Sequence, residues 1–181
     1  MNHAGVLFRP IKSTDLEQLL AWRNDRAIWK WCRQSSLITP AQHQKWYEKQ
    51  GIDKSMRMYL IYNTDRSPAM GDVKETSLGV CGLTSIDHVN AAAEFSLYID
   101  PQQHRQGYGK TALKQLLNLG FDNLNLNHIW GESFDGNPAM GMFESLGMKK
   151  EGTRREFYYR DGEYIDCHLF SILKEQWCRR R

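Results

Sequence analysis

The 181 residues carry a formal net charge of +3, with 41% hydrophobic and 25% charged residues. That balance suits a single soluble domain over 1–181 and excludes a disordered chain, and so mild a charge gives no reason to expect a nucleic-acid partner. No apolar stretch approaches a membrane span, no secretory h-region is present, and Cys32, Cys81, Cys167 and Cys178 show neither CxxC nor Cys/His ligand spacing. A reducing, cytoplasmic setting with no membrane and no metal is therefore expected.

Residues 5–9 (GVLFR) read as a first strand closed by Pro10, which cannot donate to a sheet ladder. Thr14 and Glu17 form a capping-box pattern, and Leu16, Leu19, Leu20 and Arg23 continue at helical spacing, so a helix is predicted over 15–23. Thr39, Pro40 and Gln42 start a second helix that should reach residue 49. Between the two runs WRNDRAIWKWCRQSS, rich in tryptophan and arginine.

Residues 56–63 alternate as a strand, 65–76 read as a polar hairpin loop, and 78–86 as the partner strand. Residues 87–90 turn the chain into a further strand over 92–99. After a helix, 128–134 is a strand and 137–146 a short helix ended by Gly147. Residues 148–159 and 163–173 flank Asp161 and Gly162, a strong hairpin signal. The terminal run Arg179, Arg180 and Arg181 reads as a solvated tail. This order predicts an α/β protein with a single mixed, largely antiparallel sheet of about seven strands flanked by helices.

The most informative stretch is 97–121. An alternating strand (Leu97, Ile99) breaks at Pro101, passes through a polar loop with Gly107 and Gly109, and continues as a helix whose apolar positions are Leu113, Leu116, Leu117 and Phe121. A helix start exposes backbone N–H groups and the positive end of the macrodipole, and glycines keep side chains out of a phosphate's way. The loop is thus either a plain turn or a pyrophosphate cradle. It is neither a Walker loop nor a completed dinucleotide fingerprint, since residue 112 is alanine.

His104, Arg105, Gln106, Gly107, Tyr108 and Gly109 resemble the coenzyme A loop of the GCN5-related N-acetyltransferases, [Gln/Arg]xxGx[Gly/Ala], with His104 departing at the first position. The block NPAMGMFESLGMKKEG, with Asn137, Ala139, Phe143, Gly147 and Met148 in the family's places, resembles its closing motif. The resemblance runs from Phe8 to Leu173. It implies the acyl-CoA N-acyltransferase fold, with substrate-side helices over 14–50, a coenzyme A core over 78–147 and a C-terminal hairpin over 148–174. It also implies acetyl-CoA as cofactor and direct attack of a primary amine on the acetyl carbonyl.

The coenzyme A contacts so implied are Leu97, Tyr98, Ile99, His104 to Thr111 (Arg105, Gln106, Gly107, Tyr108, Gly109 and Lys110 between them), Asn137 and Phe143. Backbone N–H groups around 97–99 would serve the developing oxyanion. Many members of the family carry Tyr where this chain has Phe143, so either another donor serves the thiolate, such as Tyr158, Ser145, Ser133 or a water, or no general acid is needed because a thiolate is already an adequate leaving group. A carboxylate must take the proton of the attacking amine. Glu94 is the candidate, because a carboxylate between Ala92, Ala93 and Phe95 is costly to bury without a purpose; the alternative is that it faces solvent on a half-exposed strand.

Trp22, Arg23 and Asn24, with Trp31 beyond them, resemble the N-terminal half of the amino-sugar nucleotide acetyltransferases and, more loosely, of the ribosomal-protein N-terminal acetyltransferases. Arginines among aromatics suit a phosphorylated or stacked acceptor, although tryptophans near a first helix are also common core residues. The expected acceptor is an amino-sugar nucleotide, then a protein N-terminus or lysine. A polyamine or antibiotic comes third, because polyamines want an acidic pocket. The competing class is a non-catalytic coenzyme A-binding module in which His104 and Phe143 record lost activity. A monomer or a homodimer is expected.

Overall fold

The computed structural model describes residues 5–66 and 73–180. Seven strands form one sheet: β1 (Leu7–Pro10), β2 (Arg57–Arg66), β3 (Val73–Asp87), β4 (Ala92–Ile99), β5 (His128–Phe134), β6 (Lys149–Arg160) and β7 (Glu163–Leu173). Their spatial order is β1-β2-β3-β4-β5-β7-β6, and every neighbouring pair is antiparallel except β4 and β5. This is the mixed, largely antiparallel sheet expected from the element order.

Alternation along the strands sends side chains to two cores. On one face Leu60 and Val80 meet Leu19, Trp22 and Ile28 from α1 (Leu16–Asn24) and α2 (Arg26–Trp29), and α3 (Pro40–Gln50) brings its partly buried Trp46 and Tyr47 to the same cluster. On the other face Cys81, Leu83, Ile129 and Ile172 meet α4 (Tyr108–Asn118), whose Ala112, Leu113, Leu116 and Leu117 are fully buried. Those positions at i, i+1, i+4 and i+5 form one stripe, which is why α4 lies flat on the sheet. The helix continues as one π turn, Leu119–Asn123, that buries Gly120 and Phe121.

Several boundaries differ from the sequence reading. Pro10 is the last residue of β1 rather than its stop, which an edge strand tolerates because its N–H side needs no ladder partner. The segment 65–76, expected as loop, is largely ladder: β2 reaches Arg66 and β3 starts at Val73, while 67–72 lie outside the described residues. Cross-strand pairing there overrides polar composition. Asn137 opens its segment as a turn, accepting from the Ala139 N–H at 2.9 Å, so α5 spans only Met140–Ser145. Asp25 caps the short α2 by accepting from the Ala27 N–H at 2.7 Å.

A last helix, α6 (Lys174–Cys178), buries Trp177 and precedes the arginine run. Arg179 and Arg180 are exposed, as expected of a solvated tail, with the Arg180 side chain passing over Gly147, and Arg181 is outside the described residues. The four cysteines are all free thiols. Among the described residues no helix is long and apolar enough to cross a membrane, and no group of His, Cys, Asp or Glu is placed to hold a metal ion.

Candidate active site

The parallel pairing of β4 with β5 lasts for Ala92, Ala93 and Glu94 against His128, Ile129 and Trp130, and then stops. From Phe95 onward β4 keeps only β3 as neighbour, so the backbone edge around Leu97 to Ile99 opens onto a cleft. Gly131 permits the divergence. A Cβ there would stand 2.4 Å from the ring of Phe95, which instead lies on the β5 backbone and meets Phe143 edge-on, ring centroids 5.1 Å apart.

The cleft encloses about 870 Å³ between the splayed strands, the start of α4, the 137–143 segment and the stretch from Arg23 to Gln34. Such a volume lies in the upper part of the range usual for ligand sites. Gly107 is the N-cap of α4, at φ +84°, a left-handed conformation that favours glycine. Having no side chain, it leaves the first-turn N–H groups of Gly109 and Lys110 without a capping group, as an anion site requires. A Cβ on Gly109 would sit 3.5 Å from both Ile99 and Met142, within the cleft. A bare helix start, a glycine floor and the cations Arg105 and Lys110 at its rim fit the pyrophosphate of coenzyme A.

Of the expected cofactor contacts, Leu97, Tyr98, Ile99, His104, Arg105, Gly107, Tyr108, Gly109, Lys110, Asn137 and Phe143 line the cleft. Gln106 and Thr111 do not: Gln106 donates to Gln103 at 3.1 Å, and the Thr111 hydroxyl turns back to the Gly107 carbonyl at 3.3 Å. His104 bonds through Nε2 to the Ile99 carbonyl at 2.8 Å, tying the loop to the end of β4. Phe143 is buried between Phe95 and Phe170.

Glu94 reaches the cleft with its side chain only 8% exposed and accepts from Arg33 Nη2 at 2.5 Å. Burial works against the charge on Arg33, but Glu94 and Glu132 outweigh it and hold its pKa above the ordinary guanidinium value. Glu132 escaped the sequence reading. Its side chain is 5% exposed, 4.0 Å from Arg33, and accepts from Arg154 and from the Tyr158 hydroxyl, the latter at 3.1 Å. A signal was available: Glu132 is a carboxylate in the strand predicted over 128–134, among Ile129, Trp130 and Phe134, the kind of setting that singled out Glu94.

Tyr158 itself does not line the cleft, and burial together with Glu132 pushes its hydroxyl up to about 12. The four residues expected on the acceptor side separate. Arg23 and Trp31 line the cleft, with Arg23 donating to the Cys32 sulfur and, at 2.6 Å, to Gln34. Trp22 is buried in the core under α1, and Asn24 is tied to both backbone groups of Ile38 at 2.8 and 2.9 Å. Tyr98 keeps a buried hydroxyl with no hydrogen-bond partner among the described residues, and burial drives its pKa up.

A splayed β4–β5 pair over a glycine-started helix defines an acyl-CoA N-acyltransferase. The profile of the Acetyltransferase (GNAT) domain family matches residues 6–149, and the chain belongs to that family. It is an N-acetyltransferase, and acetyl-CoA is its acetyl donor. The uncharacterized N-acetyltransferase p20 of Bacillus licheniformis is 34% identical over 108 residues, 58% of this chain and 61% of that protein, which is less than two thirds of its length. The spermidine N(1)-acetyltransferase of Vibrio cholerae is 26% identical over 141 residues, 75% of this chain and 82% of the relative. The crystal structure of a Vibrio cholerae spermidine N-acetyltransferase with CoA and spermine superposes with a TM-score of 0.85 at 22% identity, covering 97% of this chain and 99% of that one. At that identity the superposition establishes the fold alone.

Proposed function

We propose that this enzyme acetylates a small cationic primary amine of the polyamine kind. One observation carries the reading: Glu94 and Glu132 are buried carboxylates on the two strands that diverge into the cleft, and both face one cation. An alkylammonium could take that place. Polyamines ranked third in the sequence reading for want of an acidic pocket; the cleft offers them two buried carboxylates, which in the free enzyme are paired with Arg33 and Arg154. The named activity of the Vibrio cholerae relative points the same way.

Each residue then has a task. The first turn of α4 binds the cofactor's phosphates, and bound acetyl-CoA supplies the activated acetyl group. The free edge of β4 around Leu97 to Ile99 offers N–H groups to the carbonyl oxygen as charge develops on it. Glu94 takes the proton that the amine must lose before its lone pair attacks, directly or through water. Glu132 holds positive charge beside it.

The amino-sugar nucleotide expected first rests on Trp22, Arg23, Asn24 and Trp31. Two of these are engaged elsewhere, and Arg23 is bonded to Cys32 and Gln34, which leaves a weak receptor for a nucleotide phosphate. Coenzyme A release measured with spermidine, a uridine-diphosphate amino sugar and a peptide with a free N-terminus separates the readings. Spermidine should give the highest kcat/KM, and a faster sugar nucleotide or peptide overturns the proposal. The expected cytoplasmic location accords with four free thiols.

A further inference from the structure

Arg33 lies between α2 and α3, outside any helix or strand. Its guanidinium nevertheless ends between two buried carboxylates, 2.5 Å from Glu94 and 4.0 Å from Glu132. The backbone beneath it is fixed. Arg160, buried at the end of β6, donates through Nη2 to the carbonyls of Cys32, Arg33 and Gln34 at 2.9, 2.6 and 3.1 Å, and through Nη1 to the Tyr159 carbonyl at 2.7 Å. The Arg160 guanidinium also lies over Phe134 and Tyr158, 5.4 and 5.8 Å from their centroids. One buried cation thus anchors three successive peptide units, while the Arg33 side chain they carry is 51% exposed.

We propose that Arg33 is a built-in surrogate for the acceptor's ammonium group, seated on Glu94 and Glu132 until a cationic amine displaces it, and that Arg160 is the positioning residue that sets it there. The inference rests on the reading above, that these carboxylates receive the amine. Without Arg33 the buried Glu94 carboxylate would lack a counter-charge, which is costly, and in the free enzyme Arg33 removes that cost. A guanidinium and an alkylammonium carry the same charge and both donate N–H bonds to the same oxygens, the first as a planar fork and the second as a compact cation, so they compete. Glu132 keeps Arg154 and the Tyr158 hydroxyl when Arg33 leaves, whereas Glu94 has Arg33 as the cation on its carboxylate. Glu94 is therefore the group released for chemistry.

The test begins with methylguanidinium as probe, titrated calorimetrically into the protein without acetyl-CoA. Arg33→Gln should bind it at least about tenfold more tightly than wild type, since the competing cation is gone. Arg33→Lys, which keeps a cation in place, should behave as wild type and guards against misfolding of the first variant. Equal binding by all three proteins overturns the proposal. In steady state, Arg33→Gln should lower KM for spermidine roughly three- to tenfold, with KM for acetyl-CoA unchanged. A raised KM for the amine would make Arg33 part of the receptor and overturn it. Arg160→Met should lower the amine KM in the same direction, with Arg160→Lys intermediate; a loss of thermal stability with no change in that KM overturns the positioning role. If wild type acetylates no amine, the functional reading fails, while methylguanidinium binding still decides the role of Arg33.

Discussion

The Tyr158 hydroxyl on β6 donates to Oε2 of Glu132 on β5 at 3.1 Å, so one candidate for protonating the departing thiolate spends its proton on a carboxylate. With its pKa pushed up to about 12, mainly by burial and then by Glu132, the phenol stays protonated throughout the working range. We assign it to orienting Glu132. Tyr158→Phe should lower kcat by less than about threefold, against the 10²–10⁴ loss usual for a general acid. Stopped-flow measurement of coenzyme A release in the variant distinguishes the two.

Glu94→Gln should behave differently. The amide keeps the shape and cannot take a proton, so kcat should fall by roughly 10²–10⁴ while the melting temperature is held or raised. Rates restored at high pH, where free amine is abundant, would support Glu94 as the proton acceptor. A rate within about twofold of wild type at neutral pH would exclude it.

Gly109→Ala separates folding from cofactor binding. The new Cβ meets Ile99 and Met142 at ordinary van der Waals distance, and alanine is favoured over glycine in a helix by about 0.5–1 kcal/mol, so thermal stability should rise slightly. The same methyl group occupies the cradle floor, so KM for acetyl-CoA should rise about tenfold or more. Calorimetric melting and coenzyme A titration on one preparation give both numbers.

His43 on α3 is buried against Trp46, their ring centroids 4.9 Å apart, and burial, then the nearby Arg23, lowers its pKa below the ordinary 6.5. The unfolded chain therefore binds this proton more readily than the folded one. Stability from the neutral ring is complete above about pH 6.5 and is lost as pH falls through the lower folded-state value. Melting temperatures from pH 7.5 to 5 should drop more steeply in wild type than in His43→Leu.

Thiol chemistry gives a simpler check. Burial pushes Cys167 up to about 11 and Cys81 well above its ordinary value, whereas Cys178 is exposed. At pH 8 only about one Cys167 in a thousand would be thiolate, the form that reacts. Iodoacetamide labelling of the native enzyme, read by peptide mass, should mark Cys178 well before Cys167 or Cys81.

Much of the frame was legible because it is written in local periodicity. The stripe Leu113, Leu116 and Leu117 announces α4, the Thr39 capping box starts α3 with its reciprocal Gln42 contact present, and Asp161-Gly162 makes the β6–β7 hairpin. What misled was composition read without pairing. Polar residues 65–76 looked like loop until a ladder partner was present, and the Trp22 to Asn24 motif looked like a substrate platform until the sheet face buried Trp22.

The sequence by itself determined the order of strands and helices, the helix that starts at a glycine, and hence the family and its cofactor, since each depends on neighbours within a few turns of chain. Only the tertiary structure brought together the residues proposed to receive the acceptor amine. Glu94, Glu132, Arg33, Arg154 and Arg160 are separated by up to 127 residues and meet because β4 and β5 diverge after Trp130 and the last hairpin reaches back to the 32–34 segment. Burial and charge pairing at that meeting point are properties of the packed sheet, and no spacing along the chain encodes them.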